Sequence, residues 1–163
     1  MDPFTISAGL SGFLSLALGI TKILSIYISD IKPAPSDAKN LLLEVTALCH
    51  DLDQLVKFLR TDVKGDFAQT SALYVAIMTC QKHIEDLYKK LKKLQYRNDK
   101  NKVKGIAKRV VEWPIRKDDY QSTLGMIQRF VGSFRVSLMV GNCELLFKSS
   151  AEVISSLEEN RKQ

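Results

Sequence analysis

The sequence predicts an all-α fold, a four- to five-helix bundle led by an apolar N-terminal helix. Three observations predict it. Apolar residues recur along three long segments at alternating spacings of four and three, the signature of one helix face. Prolines and glycines number four and eight and gather at a few places, so most of the chain is free to be helical. No stretch sustains the apolar–polar alternation of a strand. The 163 residues amount to one domain, 1–163, large enough to bury a core without staples.

The first helix is expected over about 5–29. Between Pro3 and Thr21 there is no charged residue, and nineteen residues of helix span about 28 Å, close to the hydrocarbon thickness of a bilayer. Ile6, Leu10, Phe13, Leu14, Leu16, Leu18, Ile20 and Ile23 carry the apolar character. Thr5, Ser7, Gly9, Ser11, Gly12, Ser15 and Gly19 dilute it, so insertion into lipid is marginal. The opening Met1-Asp2-Pro3-Phe4 is acidic where a secretory signal is basic. Lys32-Pro33-Ala34-Pro35 ends the segment, because proline disfavours helix at the residue before it.

A second helix is expected over 36–61, with Ser36 as N-cap and Asp37 in the first turn. Its seam is Leu41, Val45, Leu48, Leu52, Leu55 and Leu59. Gly65-Asp66 separates it from a third helix, 70–97, with the seam Leu73, Ile77, Cys80, Ile84, Leu87, Leu91 and Leu94. Two such helices joined by a short link read as an antiparallel hairpin. Asn98 to Asn101 reads as a loop, followed by a short helix over 102–113 that Trp113-Pro114 ends. The last helix, 117–158, has the seam Tyr120, Leu124, Ile127, Val131, Phe134, Leu138, Gly141 and Leu145.

Charge is unevenly placed. Lys89, Lys90, Lys92, Lys93, Arg97, Lys100, Lys102, Lys104, Lys108 and Arg109 face a single acid, Asp99, giving +9 locally and −3 over the rest of a +6 chain. A block of this kind points to a phosphate-bearing partner. Only Tyr88 and Tyr96 are interleaved with it and no nucleic-acid motif is present, so an anionic phospholipid membrane is the expected partner rather than DNA or RNA.

Nothing in the chain points to an enzyme. The two histidines, His50 and His83, sit inside amphipathic helices, and no phosphate loop, nucleophile elbow or carboxylate pair stands out. Cys80-x-x-His83 with Cys49-His50 is a conceivable zinc set, but adjacent helical residues diverge by about 100° and cannot both face one ion. Cys49, Cys80 and Cys143 read as free buried thiols of a reducing compartment. No catalytic residue, metal or cofactor is expected.

The N-terminal helix admits two accounts. It is either a central helix, apolar because it is surrounded, or a segment able to leave the bundle for a membrane. Ser7, Ser11, Ser15 and Gly19 recur every four residues and Ala8 pairs with Gly12, the small-residue stripe that lets helices pack closely in lipid.

The opening Met1-Asp2-Pro3-Phe4-Thr5-Ile6-Ser7-Ala8-Gly9-Leu10, the segment Pro35-Ser36-Asp37-Ala38 into Leu41 to Val45, and Trp113-Pro114 before a long helix resemble fungal HeLo-like domains. These are the N-terminal domains of NLR-type (STAND) receptors and of amyloid-controlled cell-death effectors. The resemblance implies a cytoplasmic bundle at rest that a C-terminal NLR or amyloid partner region activates. It further implies self-association and movement of the N-terminal helix to the plasma membrane. The membrane segment would then be Ile6 to Ile28, with Gly9, Gly12 and Gly19 as close-packing positions. No glycine- and asparagine-rich amyloid motif follows Leu157 and no nucleotide-binding domain is present, so the expectation is either an effector domain excised from a longer protein or a chain that lacks its own trigger. The other reading is a soluble helical adaptor that acts by protein–protein contact alone.

Overall fold

The computed structural model describes residues 3–61, 71–104 and 113–162. These form four helices and, among the described residues, no strand: α1 (Pro3–Asp30), α2 (Ser36–Thr61), α3 (Ser71–Lys104) and α4 (Lys117–Lys162). The fold is all-α, as the periodicity predicts.

The seams close on one core. Leu10, Phe13, Ile20 and Leu24 of α1 are fully buried, together with Leu41, Val45, Leu48, Leu52 and Leu55 of α2, Leu91 of α3, and Ile127 and Phe134 of α4. Each burial contributes about 1.5–3 kcal/mol, so the core and not helix propensity holds the bundle.

The order around the core differs from a simple hairpin series. α1 packs against α2 and α3, and α4 packs against the same two helices. Among the described residues α2 and α3 make no close backbone approach, so the expected α2–α3 hairpin is replaced by a diagonal pair. A heptad stripe fixes which side of a helix faces the core, not which neighbour it meets there.

Local signals account for the helix ends. The Pro35 carbonyl accepts from the Ala38 and Lys39 amides at 3.1 and 3.4 Å. Pro35 therefore holds the cap position and Ser36 is the first helical residue, so the cap stands one place earlier than the sequence suggests. The Arg116 carbonyl accepts from the Tyr120 amide at 2.8 Å. Ile115 and Tyr120, on either side of that cap at hydrophobic-staple positions, are both buried. Trp113 stacks at a tilt on Tyr27, ring centroids 5.4 Å apart, and ties the entry of α4 to the end of α1.

Two boundaries need correction. α3 continues through Asn98–Asn101 to Lys104, so no loop divides it there and Lys102–Lys104 are not the start of a separate helix. The stretch holds neither proline nor glycine before Gly105, and polarity alone does not break a helix. The remainder of the expected 102–113 helix up to residue 112 lies outside the described residues, and Trp113 is not helical. α4 runs to Lys162, past the expected end at 158.

Candidate functional site

α1 occupies a corner of the bundle. Its buried side is Leu10, Phe13, Ala17, Ile20, Ile23, Leu24 and Tyr27, while Leu14, Leu16 and Ile28 are half-buried at the flanks. The outward side is Ala8, Gly9, Gly12, Ser15 and Leu18, all exposed, and the first charge on it is Lys22. A helix enclosed on all sides would have no such face. Only 33% of the apolar span within Ala8–Asp30 is buried, yet by length and composition that span is sufficient to cross a bilayer. A surface helix of a soluble bundle ordinarily shows charge on its outer face. Three turns of this one show none.

The polar atoms along α1 are partly hidden within it. The Thr21 hydroxyl donates to the Leu18 carbonyl and the Ser25 hydroxyl to the Thr21 carbonyl, each at 2.7 Å. Hydroxyls bonded to their own helix are less costly in an apolar medium.

The three glycines differ. A Cβ at Gly9 or Gly12 would meet open space, whereas one at Gly19 would stand 3.3 Å from Cε2 of Tyr88. In the bundle Gly19 therefore gives room to a neighbouring aromatic ring, and Gly9 and Gly12 give room to nothing. Ile6 lies in the first turns of α1, ahead of the described side chains.

The basic block begins beside this contact. Lys89, Lys90, Lys92 and Lys93 are exposed on α3. Lys92 Nζ sits 5.9 Å from the centroid of the same Tyr88 ring, and Lys90 Nζ lies 3.9 Å from the Asp119 carboxylate of α4. Arg97, Lys100, Lys102 and Lys104 follow on the helical backbone of α3, and Lys108 and Arg109 lie outside the described residues. Gly19, Tyr88 and Lys92 thus link the middle of the apolar helix to the start of the cationic face. Tyr88 is the element that periodicity missed, because a half-buried aromatic off the seam gives no signal in spacing.

Cys49 and His50 diverge as adjacent helical residues must, and Cys80 and His83 differ likewise in burial. Cys49 and Cys80 are buried free thiols, while His50 and His83 are exposed; the side chain of Cys143, expected as a third buried thiol, lies outside the described ones. Burial pushes the Cys49 thiol up to about 11 from an ordinary 9.0, partly offset by a backbone hydrogen bond, and raises Cys80 further in the same direction. Such thiols stay protonated and unreactive near neutral pH.

A family model described as "Pigment biosynthesis cluster protein PigL N-terminal" matches residues 1–159. No curated protein and no solved structure matches the chain.

Proposed function

This chain belongs to the PigL N-terminal family, and from that premise we propose that it is a membrane-acting effector of the HeLo-like kind. At rest the apolar side of α1 is stored in the core. On activation by a partner region α1 leaves its corner, the chain self-associates, and the helix enters an anionic membrane, which it permeabilises.

One observation carries the reading: the outer face of α1 is both exposed and uncharged from Ala8 to Leu18. Entry into lipid then needs no charged group to be buried until Lys22, which can snorkel along its stem. The cationic side chains of α3 supply attraction to anionic headgroups, about 1 kcal/mol per Lys near the surface. Release of α1 strips a fully buried row from the core, so the step requires a compensating gain from lipid and self-association.

The test uses substitutions on the outward face, which leave the resting core intact. Gly12→Lys with Leu18→Lys places two charges where the bilayer centre would be, each costing about 2.5–3.5 kcal/mol by insertion scales. Dye release from anionic and neutral vesicles is measured for the wild type and the double variant, each also fused to a forced oligomeriser. The reading expects release that needs anionic lipid and disappears in the variant while helix content is unchanged. Silence from the oligomerised wild type would favour a soluble adaptor instead.

A further inference from the structure

α4 carries two apolar faces on opposite sides. The inner one, Tyr120, Ile127, Val131 and Phe134, is buried in the bundle. Continued at the same spacing beyond Leu145, that face turns polar, landing on Lys148, Glu152, Ser155 and Glu159. A second stripe starts at Val136 about 180° around the helix and continues through Val140, Phe147, Ile154 and Leu157, with Met139 and Val153 beside it. These seven side chains are exposed by 51–79%.

The second stripe outruns the bundle. Glu44 pairs with Gln128 and Asp51 with Arg135, so α2 and α4 run parallel with an offset of 84. At that offset the end of α2, Thr61, stands level with about residue 145 of α4. Every residue from Phe147 to Lys162 is exposed. Some seventeen residues, about 25 Å of helix, therefore extend past α2. A free helix of that length is marginal in water and needs packing to persist.

We propose that this outer stripe is a dimer interface, occupied by the same stripe of a second copy running antiparallel. The area is sufficient: seven apolar side chains exposed to this degree present on the order of 800 Å², the share of one partner in a standard stable interface. The order of side-chain sizes selects the occupant and its direction. Along the seam stand Val140, Cys143, Phe147, Ser150, Ile154 and Leu157. An antiparallel copy centred between residues 148 and 149 sets Phe147 against Ser150, Ile154 against Cys143 and Leu157 against Val140. Larger side chains then meet smaller ones in each layer, as close packing requires. A parallel copy would stack Phe147 on itself and Ser150 on itself, one layer overfilled and one polar and empty. The antiparallel copy also lies back over Val136 and Met139, which explains why the stripe begins before the helix leaves the bundle. This surface is on a different helix from the one assigned to the membrane, and its role does not depend on that assignment.

The experiment is sedimentation equilibrium of the intact chain at micromolar concentrations, without lipid. The wild type is expected at twice the monomer mass. Phe147→Glu and Ile154→Glu, each at an exposed position that leaves the bundle core untouched, are expected as folded monomers whose melting temperature, unlike that of the wild type, does not rise with protein concentration. Association should fall roughly a hundredfold or more, because each substitution would bury unpaired carboxylates. Direction is read with Ile154→Cys under mild oxidation. An antiparallel pair cross-links position 154 of one copy to Cys143 of the other, as peptide masses would show. A monomeric wild type, or a dimer that survives both glutamates, overturns the interface. Cross-links joining 154 to 154 or 143 to 143 overturn the antiparallel arrangement.

Discussion

Arg135 Nε donates to Asp51 Oδ2 at 2.8 Å and closes α4 onto α2 over the one buried charged side chain among the described residues. One heptad earlier Gln128 Nε2 donates to Glu44 Oε1 at 3.0 Å. Both partners advance by seven, so the two contacts fix a parallel register and not merely a proximity. A slip by one turn would lose both and strand the Asp51 carboxylate in the core.

The first prediction follows from that asymmetry. The Asp51 side chain is 6% exposed and that of Arg135 is 57% exposed. Arg135→Ala leaves a buried carboxylate without its donor, and stability should fall by about 1–3 kcal/mol. Asp51→Ala frees an arginine that water can reach, so it should cost less. Urea unfolding of both variants and of the double variant measures the coupling; equal losses for the two single changes would contradict the asymmetry.

The glycines of α1 should separate by surroundings. Gly12→Ala adds a methyl group to open space and should stabilise by up to about 1 kcal/mol, the helix preference of alanine. Gly19→Ala gains the same preference but meets the Tyr88 ring at 3.3 Å, so the net change should be near zero, and Gly19→Leu should destabilise. Melting temperatures of the three variants decide it.

The thiols give a dependence on pH with a definite sign. Because the folded Cys49 value is raised, the protonated thiol is favoured by the fold. Its contribution to stability is whole below the ordinary 9.0 and is lost as pH rises from there to about 11. The wild type should therefore lose stability more steeply over that interval than Cys49→Ala. In the native chain Cys49 and Cys80 should resist a thiol reagent at neutral pH and react once urea is added.

The core and the end of α1 were legible in the residues because each rests on a local signal, whereas the ends of α3 and α4, which carry neither proline nor glycine where a break was expected, were not. Leu41 to Leu59 announces a buried side by spacing alone, and Pro33 and Pro35 stop α1 wherever the rest of the chain goes. What spacing does not carry is which helices adjoin. The α2 and α3 seams look like partners, but both point at a shared centre that α1 and α4 also fill. The Asp51–Arg135 pair was equally hidden, since a single acid beside a leucine seam reads as surface until the neighbour is known. The outer stripe of α4 was visible in principle: the inner seam arrives at Lys148 and Glu152 just where Phe147 and Ile154 appear on the other side.

The cationic face of α3 yields the last prediction. Lys90 lies near Asp119 and Lys92 lies over Tyr88, so a change at either would disturb contacts within the bundle. Lys89 and Lys93 are exposed on the same helix and are the cleaner probes. If this face attracts anionic headgroups, Lys89→Gln with Lys93→Gln should weaken vesicle binding by about 2 kcal/mol, roughly thirtyfold. Flotation with phosphatidylserine vesicles reads the change directly. The difference should vanish on neutral vesicles and shrink toward nothing in molar salt, where screening shortens the reach of each charge to about 3 Å. A solvated helix end with no lipid role would instead bind both vesicle types alike, with or without the two lysines. Unchanged helix content in the variant would then assign any loss to the surface charge and not to the fold.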